Sequence, residues 1–192
     1  MYGFQNEDFL KTLNGAVAQI GEINRIADKV SDLGYKNIYL VGTGGTYAII
    51  SPLAYMLKTN SALVWYHEIA AELLAAKPRS LTRDSLFITA SLSGTTKETI
   101  AAAEYARSMG ATVISFVGDR TAPLAAVSDY VVENAACNDN LVEELHIQFF
   151  ALGARLMLKN GEFPQYERFV ETLRKMPEGA ERRTSTCFCR KA

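Results

Sequence analysis

Four features are scarce in this 192-residue sequence: cysteine, histidine, long apolar runs and an excess of charge of either sign. The three cysteines do not form a disulfide framework and, with the two histidines, show no zinc-binding spacing, so we expect no metal. No apolar run approaches the ~20 residues of a membrane helix, and residues 1–8 lack the basic region of a secretion signal. The formal net charge of -1 disfavours a nucleic-acid partner. We therefore expect a cytoplasmic protein that binds neither a membrane nor nucleic acid.

Signatures of nucleotide and hydrolase chemistry are also missing. Neither the triphosphate loop G-x-x-x-x-G-K-[ST] nor the nucleophile elbow Gly-x-Ser-x-Gly occurs. Gly42 and Gly44 match the start of a dinucleotide-binding motif, and Glu68 stands about where an acid would meet a ribose. Tyr47 occupies the third glycine position, where its bulk opposes close packing of helix on strand. A nicotinamide-dependent enzyme is thus the least favoured alternative, and we expect no cofactor.

Composition and apolar pattern together predict one α/β domain. With 48% hydrophobic and 21% charged residues, the chain has the balance of a folded globular protein. Short apolar runs alternate with helical stretches, which predicts a five-stranded parallel sheet covered on both faces, a three-layer αβα sandwich. The predicted strands are residues 37–41, 62–66, 85–90, 112–117 and 130–133, and the main helices are residues 47–58, 69–76, 95–109 and 141–158.

The pattern changes near both ends of the chain. Apolar residues at helical spacing before Gly34 predict an N-terminal helical segment, interrupted by Gly15 and Gly21. A last amphipathic helix ends near Pro177, and the residues after it show no period, which predicts an irregular tail. The three predicted segments are residues 1–34, 35–177 and 178–192.

A run of hydroxyl residues, Ser91–Thr96, follows the third predicted strand and precedes an Ala-rich helix. A helix that begins there presents unpaired N–H groups and a positive dipole end, which suit a phosphate. Hydroxyl groups add donors without charge, and Gly94 would let the backbone approach the ligand without a Cβ atom. The alternative is that Ser93 or Thr95 only caps the helix, with Glu98 completing a capping box.

A second loop of this kind, Gly42–Thr46, follows the first predicted strand and precedes another helix. In an open parallel sheet the ligand lies beyond the carboxyl ends of the strands, where the strand order reverses. If the strand order is 2-1-3-4-5, this loop and Ser91–Thr96 flank the same crevice. The sequence therefore predicts one anion site made from two loops.

The two loops resemble those of the sugar isomerase (SIS) domain family. The turn Gly44-Gly45-Thr46-Tyr47 and the loop Ser91–Thr96 are similar to the family's two motifs, and the order of strands and helices agrees over residues 37–158. The resemblance implies a flavodoxin-like SIS fold and a bound phosphosugar. The residues implied in phosphate binding are Gly44, Gly45, Thr46, Ser91, Ser93, Gly94 and Thr96.

Closest in character are the first halves of glucosamine 6-phosphate synthases and fructoselysine 6-phosphate deglycases, which have two SIS domains. The stretch Glu143–His146 resembles the deglycases in particular. In such relatives the second domain supplies the principal glutamate base and often a histidine, so one of two alternatives that the resemblance implies is a chain that lacks its second half. Single-domain members act as oligomers whose subunits complete each other's sites, which implies a homo-oligomer.

Isomerisation of a phosphosugar, or deglycation of a ketosamine phosphate, requires a base that moves a proton and a group that opens the ring. A partly desolvated glutamate and a histidine suit these roles, which makes Glu68, Glu144 and His146 the catalytic candidates. Glu72 is a further candidate. Each has a structural alternative, such as an acid in the first turn of a helix. Glu144 and His146 are about 200° apart around a helix, so we expect them to face different ways.

Two functions remain open beside the nicotinamide-dependent enzyme. The first is the phosphosugar-binding domain of an isomerase or deglycase. The second is a sugar-phosphate-binding module that senses its ligand without converting it.

Overall fold

The computed structural model describes residues 6–134 and 141–181. The three cysteines, Cys137, Cys187 and Cys189, lie outside these ranges, as does most of the predicted tail. The strands are β1 Asn37–Gly42, β2 Trp65–Ile69, β3 Ser85–Ser91, β4 Thr112–Val117 and β5 Tyr130–Glu133. The helices are α1 Asn6–Ala18, α2 Ile20–Leu33, α3 Gly45–Asn60, α4 Ala70–Ala76, α5 Lys97–Ser108, α6 Pro123–Ala126, α7 Leu141–Lys159 and α8 Tyr166–Arg174.

The five strands form one parallel sheet in the order β2-β1-β3-β4-β5. The strand β2 lies on one side of β1, and β3, β4 and β5 follow on the other side, so the strand order reverses between β1 and β3. These two strands pair from Asn37 with Ser85 to Val41 with Thr89. All seven residues of β3 are buried, as its central position requires. The conditional strand order is confirmed, and the loops after β1 and β3 lie side by side at the carboxyl edge.

Two apolar layers enclose the sheet and confirm the three-layer sandwich. Alternate residues of β1 face opposite sides, so Ile38 and Leu40 pack with helices α2, α3, α7 and α8, whereas Tyr39 and Val41 pack with α4, α5 and α6. Within the described ranges, none of the helices combines the length and the apolar composition that crossing a bilayer requires.

The N-terminal helices break at Gln19, between the two glycines that we expected to interrupt them. Gly15 and Gly21 lie inside α1 and α2, so that expectation is wrong. Gly34 ends α2 as predicted: its φ of 81° suits glycine, and its N–H donates to the carbonyls of Val30 and Ser31. The buried face of α2 belongs to the same core as the sheet.

The second strand begins three residues later than predicted. The predicted start, Ala62, donates its N–H to the Glu162 carboxylate at 2.8 Å, and Ser61 donates its hydroxyl to the same group. This contact with a distant segment holds the chain in a loop, and β2 forms only from Trp65. Consequently His67 and Glu68, which we expected just after the strand, lie within it.

Residues 176–181 form a further helical segment, part of which we expected to be irregular. Proline at position 177 is compatible with the first turn of a helix, because the missing N–H would have no partner there. Ala180 packs against a small cluster formed by Leu13, Ala16 and Ile147. Residues 176–181 thus form a helix that packs against α1 and α7, although the sequence after Pro177 shows no helical period.

Candidate functional site

A cleft of about 370 Å³ lies at the carboxyl edge of the sheet, between the loops after β1 and β3. Its lining consists of small or polar residues from both loops, with two aliphatic side chains, and carries no ionisable group among the described residues. The lining residues are Thr43, Gly45, Thr46, Ile49, Ser91, Leu92, Ser93 and Thr96. The two loops that the sequence singled out therefore do meet at one place.

The first loop is closed by Thr46. Its hydroxyl donates to the Thr43 carbonyl at 2.8 Å and accepts from the Thr43 N–H at 3.1 Å, which satisfies both groups within the turn. Gly44 adopts a φ of 55°, where glycine is favoured, and does not itself line the cleft. The hydroxyl of Thr46 thus holds the loop in shape, and Gly45 begins α3 at the cleft.

Gly42 allows β1 and α3 to approach each other closely. A Cβ atom at this position would lie 2.4 Å from the backbone nitrogen of Tyr47, a distance that no side chain tolerates. The close contact between strand and helix is therefore made by the glycine at the end of the strand. Tyr47, which occupies the third glycine position of the dinucleotide motif, contributes its backbone to that contact.

The second loop is anchored by Ser91, the last residue of β3. Its hydroxyl accepts the Gly94 N–H at 3.1 Å and pairs with the Thr96 hydroxyl at 3.0 Å. Gly94 has a φ of 61°, and a Cβ atom there would lie 2.3 Å from that of Ala122. Packing against Ala122 thus requires a glycine at this position, and the approach of a ligand to Gly94 stays a prediction.

The helix-capping alternative for this loop is wrong. The residue that precedes α5 is Thr96, and its side chain makes no capping hydrogen bond. The hydroxyl of Ser93 instead accepts from the Thr95 N–H at 3.3 Å and from the Thr95 hydroxyl at 3.0 Å. Because its oxygen already accepts two bonds, the Ser93 hydroxyl hydrogen is left to donate elsewhere, and Ser93 lines the cleft.

Sequence reasoning missed Thr43 and Thr99, whose hydroxyl groups lie 2.9 Å apart. Thr43 lines the cleft, and its position between Gly42 and Gly44 could have marked it as part of the turn. Thr99 lies in the first turn of α5 with 1% of its surface exposed, and no local pattern distinguishes it from an ordinary helical threonine. Ile49 and Leu92 complete the missed lining residues.

The candidate base Glu68 does not line the cleft. It lies within β2, opposite Val41, and strand alternation places it on the side of Tyr66 rather than that of His67. His67 holds the start of α3 instead: its Nε2 lies 3.1 Å from the Tyr47 carbonyl oxygen, and the two rings stack 4.0 Å apart. Burial lowers the pKa of His67, and the hydrogen bond to Tyr47 partly opposes that effect.

Glu144 and His146 face different ways from α7, as their spacing predicts. Glu144 is fully buried and accepts a hydrogen bond from Gln148 at 3.2 Å, and Gln148 also donates to the Glu133 carbonyl. His146 lies with Glu143 on a groove of about 1120 Å³ between α1, α3, α7 and α8. Neither side chain lines the cleft, and Glu72 is exposed on α4.

Metal binding has no support in the described part of the chain, where no three side chains of histidine, cysteine, aspartate or glutamate come together. The chemistry of the cleft is therefore that of neutral donors: hydroxyl groups, and the backbone N–H groups at the starts of α3 and α5. Such donors suit an anion with several acceptor oxygens.

Comparisons with known proteins identify a matching family and several similar chains. The profile of the SIS domain matches residues 34–157. The fructosamine deglycase FrlB of Bacillus subtilis strain 168 is 30% identical over 151 residues, which are 75% of this chain and 45% of that protein. This chain therefore spans slightly less than half the length of the curated relative.

Two solved structures show the same fold in chains of different length. One, from Salmonella typhimurium LT2 and assigned as a phosphosugar isomerase, has a TM-score of 0.74 and 26% identity over 83% of this chain and 49% of its own. The other, from Listeria monocytogenes and assigned as a sugar-phosphate isomerase, has a TM-score of 0.66 and 13% identity, so its likeness shows the fold alone. The match covers 83% of this chain and 91% of that one.

Proposed function

The chain belongs to the SIS domain family, and from that premise we propose that its cleft binds the phosphate group of a phosphosugar. The observation that carries the proposal is the convergence of two donor-rich loops on one cleft. Each loop leads directly into a helix, α3 at Gly45 and α5 at Lys97. The positive dipole ends of both helices would act on the same anion.

The lining of the cleft supports a dianion over other ligands. No carboxylate stands among its lining residues to repel a phosphate, and the hydroxyl groups of Ser91, Ser93 and Thr96 reach it from one side. Hydrogen bonds to a charged acceptor are stronger than those to a neutral one, so neutral donors are sufficient for binding. Gly44 and Gly94 would then support the loops rather than contact the phosphate themselves.

We propose further that the bound sugar is a substrate of isomerisation or of ketosamine-phosphate deglycation. The similarity to a fructosamine deglycase favours the second reaction. Both reactions need a proton-transferring group, and the described lining of the cleft contains none. The base would therefore come from outside this lining, from a second SIS half or from another subunit of a homo-oligomer, while Glu68, Glu144 and His146 remain predicted candidates.

The lack of an acid or base in the described lining also favours an alternative, a module that senses a sugar phosphate without converting it. Such a module needs the phosphate grip and a change transmitted to a partner, but no proton transfer. A cytoplasmic location suits either function, because phosphosugars are intracellular metabolites.

The decisive experiment is calorimetric titration of the chain with fructose 6-phosphate, a ketosamine 6-phosphate, the matching unphosphorylated sugars and NAD. We expect the phosphorylated ligands to bind roughly tenfold or more tightly than their unphosphorylated forms, because only they offer a charged acceptor. Equal affinity for both forms, or binding of NAD alone, would contradict the proposal. Assays of ketose isomerisation and amine release on the same samples then separate an enzyme from a sensor.

A further inference from the structure

One side-chain hydrogen bond links the loop after β1 to helix α5, which directly follows the loop after β3. The hydroxyl groups of Thr43, in the loop after β1, and Thr99, in the first turn of α5, lie 2.9 Å apart. Thr43 is half-buried and lines the cleft, whereas Thr99 is buried to 1% exposure and does not. The bond therefore crosses from the cleft wall to a residue that no ligand in the cleft touches.

The other hydroxyl bonds at the cleft stay within one loop. Thr46 bonds to Thr43, Ser91 to Thr96, and Thr95 to Ser93. These contacts set the shape of each loop but not the separation of the two. An anion held from both sides requires donors at a fixed distance, because a displacement of even 1 Å lengthens a hydrogen bond beyond its useful range.

We infer that Thr99 is a positioning residue for the phosphate site, acting through Thr43 to hold the first loop at a set distance from α5. The inference rests on the proposed function, since it concerns the same cleft. Thr99 would thus affect ligand affinity although it is buried in a helix and does not line the cleft. A merely structural role would change the stability of the fold and leave the affinity unaltered.

The test compares Thr99→Val, which keeps the shape of the side chain and removes its hydroxyl, with Thr99→Ser, which keeps the hydroxyl. Thr89→Val is the matched control. The Thr89 hydroxyl is also fully buried and donates to the Val41 carbonyl at 2.8 Å, so its loss removes one internal hydrogen bond and involves no residue that lines the cleft. Affinity is measured by titration with fructose 6-phosphate, and stability by thermal unfolding.

We expect Thr99→Val to weaken binding of fructose 6-phosphate about three- to tenfold, the range that the loss of one hydrogen bond produces. Thr99→Ser should bind within about twofold of the wild type, and Thr89→Val should lower the melting temperature while leaving the dissociation constant unchanged. Wild-type affinity in a folded Thr99→Val variant would overturn the inference. So would an equal loss of affinity in Thr89→Val.

A double variant tests whether Thr99 acts through Thr43. In the Thr43→Val background the bond is already absent, so adding Thr99→Val should weaken binding no further. Additive losses would overturn the proposed route. If Thr99→Val fails to fold, Thr43→Val and Thr43→Ser provide the same comparison from the half-buried partner of the bond. We expect Thr43→Val to bind fructose 6-phosphate more weakly and Thr43→Ser to bind it as the wild type does. Equal affinity of these two variants would overturn the inference.

The outcomes also separate this inference from the proposed function. A wild-type chain that binds no phosphosugar would overturn the function itself and the inference with it. A wild-type chain that binds fructose 6-phosphate, with every threonine variant at the same affinity, would overturn the inference alone.

Discussion

The hydroxyl groups of the cleft differ in what they already bind. Thr46 donates to a carbonyl of its own loop, and Ser91 and Thr96 pair with each other. Ser93 only accepts, from two groups of Thr95, and its hydrogen has no acceptor that the loop supplies. The Ser93 hydroxyl is therefore prepared to donate to an incoming phosphate.

Ser93→Ala should weaken binding of a hexose 6-phosphate by roughly 1.5–3 kcal/mol, the contribution of a hydrogen bond to a charged group. Titration calorimetry measures the change directly. Ser108→Ala is a suitable control, because Ser108 is exposed at the far end of α5 and its hydroxyl bonds only to the Tyr105 carbonyl. An unaltered dissociation constant for Ser93→Ala would count against the phosphate site.

His67 gives a prediction on the pH dependence of stability. Burial lowers its pKa in the folded state, so the unfolded chain binds a proton more readily. Well above the unfolded pKa of about 6.5, the contribution of His67 to the free energy of unfolding does not vary with pH. As the pH drops through and below that value, this contribution falls and the fold becomes less stable. His67→Gln removes the titrating group and can still donate to the Tyr47 carbonyl.

We expect His67→Gln to gain stability relative to the wild type as the pH falls from about 7.5 to about 5, and the difference between them to be constant above about pH 7.5. Urea unfolding at a series of pH values measures this difference in the free energy of unfolding. A difference that does not vary with pH would show that folding leaves the affinity of His67 for protons unchanged.

At the scale of elements, an ion pair joins α2 to α7. Arg155 donates to both carboxylate oxygens of Asp28, at 2.7 and 2.8 Å, and one turn later Lys159 pairs with Asp32 at 2.8 Å. The bond from Arg155 lowers the pKa of Asp28, while partial burial opposes that effect. The pair ties the N-terminal helices to the helix that carries Glu144 and His146.

Asp28→Asn should lower the free energy of unfolding at pH 7 by up to about 1 kcal/mol, since the pair is partly exposed. The sign of the pKa shift means that the contribution is present above the unfolded pKa of about 3.9 and lost as the pH falls through the folded value. Wild type and variant should therefore converge only once the pH falls below the lowered pKa of folded Asp28. Asp32→Asn is the control, with a smaller effect, because Asp32 is 70% exposed. Equal effects of the two variants would contradict the argument.

At the scale of the molecule, the second N-terminal helix, α2, and the sheet share one core. Ile20, Ile23, Ile26 and Val30 of α2 are buried with the inner face of the sheet. The sequence suggests a separate N-terminal segment, but the contacts of α2 favour unfolding as one unit. Trp65, the single tryptophan, lies on β2 and reports on the sheet, whereas far-ultraviolet circular dichroism reports largely on the helices.

Ile23→Ala should destabilise the whole domain by about 2–5 kcal/mol, because Ile23 is fully buried on α2. Tryptophan fluorescence and circular dichroism should shift to the same lower midpoint, the mark of a two-state transition. Leu33→Ala on the same helix is the control, since Leu33 is 70% exposed and should have little effect. Two separate transitions would show that the helices unfold independently of the sheet.

The relation between the cleft and the catalytic candidates Glu68, Glu144 and His146 also concerns the whole molecule, since none of the three lines the cleft. The described lining of the cleft supplies no proton-transferring group for the proposed phosphosugar ligand, and the chain spans about half the length of its curated relative. A second SIS half or a second subunit would bring such a group to the edge of the cleft. Under the proposed function, phosphate binding and proton transfer would therefore depend on different parts of the protein.

Most of the fold could be predicted because its signals are local. The strands β4 and β5 match their predicted bounds residue for residue, since a short apolar run between turn residues is sufficient to define a buried strand. The start of β2 could not be predicted in this way. It depends on Glu162, about a hundred positions further along the chain, which holds Ala62 in a loop.

The sequence by itself determined the alternation of strands and helices, the family and the two loops, because glycine and hydroxyl residues between a strand and a helix have a restricted set of conformations. Only the tertiary structure decided which hydroxyl groups are already occupied within the loops, that Gly94 packs against Ala122, and that Thr99 reaches Thr43. The contacts of Gly94 with Ala122 and of Thr99 with Thr43 join residues that are far apart in the chain. No periodicity records them, since they arise only when the sheet brings its carboxyl ends together.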